Sequence, residues 1–110
     1  MDLDLDQMRS VVVLAEHLHF GRAAAALYVS QPALTKQIHK IEDTLGGPLF
    51  VRRPRQLTLT RAGRVLIEHA RVLLRDGQLA IDVSRSAIGE KPAFCALVSA
   101  SLRLQPVSRT

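Results

Sequence analysis

The stretch Ala23–Glu42 reads AAAALYVSQPALTKQIHKIE, two short helical patterns separated by a sharp turn. In its second half Ser30 is placed to cap a helix with its hydroxyl, and Gln31 and Pro32 suit a first turn whose backbone N–H groups lack partners. Leu34, Ile38, Ile41 and Leu45 then follow in steps of four, three and four, which puts them on one apolar stripe. At about 100° per residue the opposite face holds Pro32, Lys36, His39, Lys40 and Asp43, with Gln31 and Thr35 beside it at the N-terminal end. In the first half, the mostly small side chains of Ala23, Ala24, Ala26 and Leu27 let two helices cross closely, and Tyr28 and Val29 fill the turn. The pattern predicts a helix-turn-helix whose second helix offers its N-terminal end to base edges.

Charge supports a polyanionic partner. Fifteen Lys and Arg against ten Asp and Glu give a net +5, but the sum conceals a gradient. Asp2, Asp4 and Asp6 make the N-terminus acidic. Between His17 and Arg75, Arg22, Lys36, Lys40, Arg52, Arg53, Arg55, Arg61, Arg64, Arg71 and Arg75 face only Glu42, Asp43 and Glu68. Basic residues crowded around a helix-turn-helix favour nucleic acid over a merely solvated surface. At 110 residues and 47% apolar content the chain suits one globular domain with a modest core. Cys95 is the only cysteine, which rules out an intrachain disulfide framework and a multi-cysteine zinc site, and fits a reducing cytoplasm. No apolar run approaches the roughly 20 residues that span a bilayer, and the acidic start lacks the character of a secretory signal. Neither a membrane partner nor a cofactor is expected.

Working outward, Asp4 caps a first helix to about Leu18, with Leu5, Met8, Val11, Val12, Ala15 and Leu18 at helical spacing; the β-branched run Val11–Val13 keeps that period. A second helix begins near Phe20, which plugs the core, but His19 and Gly21 make a poor entry where Ser or Thr would cap better. Gly46 and Gly47 stop the reading helix and Pro48 prevents its continuation. Leu49–Val51 and Leu57–Leu59 read as two strands joined by a basic turn from Arg52 to Gln56, a wing whose tip carries Arg52, Arg53 and Arg55 for phosphates or the minor groove.

Thr60 caps a last helix from Arg61 to about Ile88, roughly 42 Å long at the standard rise. Ile67, Leu74, Ile81 and Ile88 repeat every seven residues, beside a row of small residues at Ala70, Gly77 and Ser84, and Leu66, Leu73, Ala80 and Ala87 widen the face. An apolar stripe this long asks for a partner helix, so a homodimer is expected through Leu66, Ile67, Ala70, Leu73, Leu74, Gly77, Ile81 and Ile88. The competing expectation is a helix folded onto its own core, broken at Gly77. Gly89–Pro92 reads as a linker and Phe94–Val98 as a lone strand with nothing to pair with.

With these residues in place, the chain from Leu5 to about Ile88 resembles the N-terminal DNA-binding domain of the LysR-type bacterial transcriptional regulators. The resemblance rests on AEHLHFGRAAAALYVSQPALTKQIHKIEDTLGGPLFVR followed by LTLTRAG at the opening of the long helix. It implies a mainly α fold: a winged helix-turn-helix of three helices and a two-stranded wing, then a long dimerisation helix. It places Ser30, Gln31, Pro32, Thr35 and Lys36 at double-stranded DNA, with Arg52 and Arg53 on the wing; Ala33, Lys40 and Arg55 complete the candidate contacts. It further implies an antiparallel dimer through the linker helix on an interrupted palindrome, with dimers commonly pairing into tetramers. Lys36 stands where Arg is more common, and a point charge discriminates guanine less sharply than a planar fork. Expected boundaries are 1–60 for DNA binding, 61–88 for dimerisation, and 89–110 for a linker and the first strand of an effector-binding domain. No small-molecule effector is expected to act on this chain.

Three rival functions compete with this one. A helical protein-interaction module would make the basic surface incidental. RNA binding is disfavoured by three Phe and one Tyr as the only aromatics. Catalysis is disfavoured because His17, His19, His39 and His69 form neither a ligand pair at i, i+4 nor part of a nucleophilic triad.

Overall fold

The computed structural model describes residues 1–89. The expected linker and strand beyond Gly89 lie outside the described residues. The described residues divide into two units, Met1–Arg75 and the part of the last helix from Asp76 onward. The elements in order are α1 (Leu5–His17), α2 (Phe20–Ala26), α3 (Gln31–Leu45), β1 (Phe50–Arg53), β2 (Gln56–Leu59) and α4 (Arg61–Gly89). This is the winged helix-turn-helix with a following long helix.

Each helix of the first unit starts on a side-chain acceptor. Asp4 takes the Gln7 N–H at 2.8 Å while the Gln7 side chain returns a bond to the Asp4 N–H at 2.9 Å, a complete capping box. Ser30 Oγ accepts from the Ala33 N–H at 3.2 Å. Thr60 Oγ1 accepts from the Gly63 N–H at 3.0 Å and donates to the Pro48 carbonyl at 2.9 Å. The entry to α2 corrects the sequence reading: His19 is its N-cap, with Nδ1 accepting the Arg22 N–H at 3.0 Å. An imidazole nitrogen does here what a hydroxyl does elsewhere.

The core of the first unit is built from α1, α2, α3, the start of β1 and the first turns of α4. Leu14, Leu34, Ile38, Ile41, Leu49 and Val11 are its largest fully enclosed side chains. Each such aliphatic contributes about 1.5–3 kcal/mol by leaving water. Leu14 is enclosed in the stripe of α1 while Leu5 and Leu18, expected there, are exposed; the helix ends at His17, which makes Leu18 its left-handed cap at φ 49°. Ala23 and Ala24 are buried and let α2 approach its neighbours, whereas Ala26 faces solvent. Leu45 is also exposed, so the α3 stripe ends at Ile41. Phe20 and Leu27 pack half-buried against this core. Ser10 Oγ, buried on α1, bonds the Gln37 amide oxygen at 2.9 Å and ties α1 to α3.

The turn between α2 and α3 is a Schellman motif. The Val29 N–H bonds the Ala24 carbonyl at 3.0 Å and the Tyr28 N–H bonds that of Ala25 at 3.2 Å, with Tyr28 left-handed at φ 59°. Tyr28 is 96% exposed, so its ring fills nothing.

In α4 the helix runs through Gly77 without interruption, as the expected long helix does and the competing break at Gly77 does not. Gly63, Ile67 and Ala70 are buried, and Leu66 and Leu74 pack half-buried on the core of the first unit. Part of the proposed dimer face is therefore occupied by the domain's own interior. Leu73, Ile81 and Ile88 are exposed, Ile88 to 87%.

Candidate nucleic-acid interface

The wing is tighter than its sequence suggests. β1 and β2 pair antiparallel with Phe50 opposite Leu59 and Arg53 opposite Gln56, leaving Pro54 and Arg55 as the turn. Arg52 and Arg53 thus belong to a strand and only Arg55 sits at the tip. Proline followed by a residue at φ 64° is the type II pattern, which usually places glycine where Arg55 stands. The Arg52 guanidinium lies over the Phe20 ring, 4.6 Å from its centroid.

Beside the wing, the exposed face of α3 carries a shallow depression lined by Gln31, Pro32, Thr35, Lys36 and His39. A second groove is lined by Gln31 and Thr35 together with His19, Phe20, Arg52, Arg53 and Arg55. Gln31 and Thr35 border both, so the start of α3 and the wing form one continuous surface. Ser30, Ala33 and Lys40 line neither concavity: the Ser30 hydroxyl and the Ala33 N–H are joined in the cap, and exposed Lys40 lies a turn beyond Lys36. Among the described residues the one ion pair is Arg9–Asp6 at 3.2 Å, far along the sequence from this surface. Lys36, Arg52, Arg53 and Arg55 have no carboxylate partner there, so their charge remains available to an anion.

A junction that sequence reasoning missed fixes the wing to α3. Glu42 Oε2 accepts the Leu49 N–H at 2.7 Å and the Phe50 N–H at 3.3 Å. The Leu49 carbonyl in turn accepts the Thr60 N–H at 3.0 Å. Gly63 packs against that same carbonyl so closely that any Cβ would collide with the Leu49 oxygen and come within 3.0 Å of Leu59 Cδ2. Leu49 is thereby held by α3 on one side and by the start of α4 on the other. In the sequence Glu42 shows only as a charge and Gly63 only as part of LTLTRAG.

The fold and sequence both have close counterparts. Residues 5–64 match the model of the bacterial regulatory helix-turn-helix protein, lysR family. The chain is 52% identical over 87 residues to the SDS degradation transcriptional activation protein of a Pseudomonas species, covering 79% of this chain and 27% of that protein. It is 40% identical over 109 residues to the HTH-type transcriptional regulator IlvY of Escherichia coli, covering 96% of this chain and 37% of that one. The chain thus spans between a quarter and two fifths of the length of these relatives. Among solved structures, the BenM DNA-binding domain in complex with catB site 1 DNA superposes with a TM-score of 0.78 at 27% identity, covering 81% of this chain and 99% of that one. A capped reading helix, an arginine-bearing wing pinned through Glu42, and a sequence match across both lead to one assignment: the chain belongs to the LysR family of bacterial regulatory helix-turn-helix proteins.

Proposed function

We propose that this chain binds double-stranded DNA sequence-specifically as the reading head of a bacterial transcriptional regulator, working as a homodimer joined through α4. The observation that carries the reading is the continuous surface from the start of α3 to the wing, on which Gln31 and Thr35 border both concavities and the cations lack ion-pair partners among the described residues. Gln31, Thr35 and Lys36 enter the major groove and read base edges, while Arg52, Arg53 and Arg55 hold backbone phosphates or the minor groove. Ser30, Pro32 and Ala33 shape the close approach of the helix end, and Lys40 meets a phosphate at the groove's edge. That a solved neighbour of the same fold is a DNA complex supports the DNA-binding reading. In this reading residues 1–60 form the reading head, and 61–88 both complete its core and carry the dimer. Leu73, Ile81 and Ile88 supply the exposed part of the dimer face, and two reading helices address successive major grooves of an interrupted palindrome.

Duplexes selected from a random pool by the protein at physiological salt test the reading. Log affinity should fall linearly with log salt, with a slope counting the phosphate contacts. Gln31→Ala or Lys36→Ala should relax base choice at a cost of about 1–3 kcal/mol, and Arg53→Ala should weaken all sequences evenly. Selection that yields no enriched sequence, or Gln31→Ala with unchanged discrimination, refutes it. Failure to bind any duplex at low salt would instead favour a protein-interaction role for the apolar face of α4.

A further inference from the structure

We propose that His19, together with Arg52, forms a backbone-phosphate site in the groove between α3 and the wing, with the imidazole acting as an uncharged N–H donor. The proposal rests on the DNA-binding reading and deepens it. The Nδ1 atom of His19 accepts the Arg22 N–H at 3.0 Å, so it carries no proton of its own. A neutral imidazole whose Nδ1 accepts must hold its proton on Nε2, which fixes the tautomer. The residue is exposed and lines the groove that also contains Gln31, Thr35 and Arg52. The ring thus carries its one N–H donor, exposed, along a groove that also holds the unpaired charge of Arg52. Next to it, Phe20 holds the Arg52 guanidinium 4.6 Å above its ring, which leaves the N–H edges of that planar group free to form a fork. A phosphate oxygen has several lone pairs and accepts from both. The two side chains come from separate elements, the loop before α2 and β1, and line the same groove.

The capping role makes a clean test available. Asparagine is a strong N-cap with a shorter side chain, so His19→Asn keeps the bond to the Arg22 N–H and draws the side-chain donor back toward the backbone, away from the reach of the imidazole. Asp keeps the same bond, offers no donor and adds a charge that repels phosphate. Binding is measured by titration on two probes, a duplex selected by the wild-type protein and a random-sequence duplex of equal length. Thermal midpoints of all variants are measured in parallel. The expected result is an unchanged or raised midpoint for His19→Asn with affinity about tenfold weaker on both probes, and a larger loss for His19→Asp. The salt slope should be unchanged in His19→Asn and shallower by about one in Arg52→Ala, because only the arginine neutralises a phosphate. Wild-type affinity for both duplexes in His19→Asn overturns the proposal, as does a loss confined to the selected duplex, which would mark a base contact. A collapse of the midpoint in both His19→Asn and His19→Asp overturns it too, since the cap would then not be what the imidazole supplies. Failure of the wild-type protein to bind either duplex is a different result and defeats the DNA-binding reading itself.

Discussion

Replacing Gly63 by alanine sets two opposite effects against each other. In a helix interior alanine is favoured over glycine by about 1 kcal/mol, so the residue's intrinsic preference argues for a gain. At this position the added Cβ meets the Leu49 carbonyl oxygen, a backbone atom that cannot rotate away, and lies 3.0 Å from Leu59 Cδ2. Overpacking of this kind costs about 1–3 kcal/mol. Relief by sliding α4 away breaks the Thr60 N–H bond to Leu49 and strains the Thr60 cap, which together are worth about 1–3 kcal/mol. A clash with a backbone oxygen lies at the upper end of that cost, so after the propensity gain of about 1 kcal/mol is subtracted the net loss is about 1–2 kcal/mol, or on the order of 4–16 °C in Tm for a domain of this size. Circular dichroism melts at one fixed protomer concentration measure it, since an associating protein melts at a concentration-dependent temperature. Gly47→Ala is the control. Nothing lies within 4 Å of a Cβ there, so alanine should leave Tm unchanged or raise it through about 0.4–1 kcal/mol of unfolded-state entropy. A Gly63→Ala protein that melts at or above wild type refutes the account of the junction.

Three further outcomes follow from the same structure. Tyr28→Gly should stabilise by about 1 kcal/mol, read as a higher urea midpoint, because Tyr28 is left-handed and its exposed ring loses no packing. Glu42→Gln should cost about 1–3 kcal/mol in the same urea titration, since a charge-assisted acceptor shared by the Leu49 and Phe50 amides becomes a neutral one; an unchanged midpoint would show that Glu42 does not anchor the wing. Ile81→Asp should shift sedimentation from dimer to monomer with the melt of the reading head intact, and is preferable to Leu74→Asp because Leu74 packs on the domain's own core. A wild-type protein that sediments as a monomer at high concentration removes the dimer.

What could be read from the sequence was what depends on near neighbours. Asp4, Ser30 and Thr60 were recognisable caps because each bonds an amide three residues on, and Gly46 was a recognisable stop because it takes the left-handed conformation itself at φ 90°. The stripe Leu34, Ile38 and Ile41 was equally legible, but periodicity cannot say where the opposing core ends, so Leu45 and Leu18 were wrongly enclosed. His19 was missed as a cap because imidazole is seldom used so, although its position before Phe20 was the right one. The wing arginines were placed in a loop because three Arg around a Pro look like a turn, while pairing of Arg53 with Gln56 carries the strands two residues further. Glu42 and Gly63 were illegible for a different reason. Their roles lie in contacts with Leu49, seven and fourteen positions away in the chain, which no local pattern encodes. In α4 one apolar period serves two purposes, so Ile67 and Ala70 went to the core while Ile81 and Ile88 stayed on the surface.

The anchoring of Leu49 also bears on how a target site is chosen. With its amide held by Glu42 and its carbonyl by Thr60, the wing cannot swing independently of the reading helix. On the DNA-binding reading, the distance between the two DNA-facing elements is then a fixed length to which the double helix must conform. Any mismatch is taken up by roll, twist and groove width in the base steps between them. Sites rich in easily deformed pyrimidine–purine steps at those positions would be preferred although no side chain touches their edges, and a stiff tract there would be rejected.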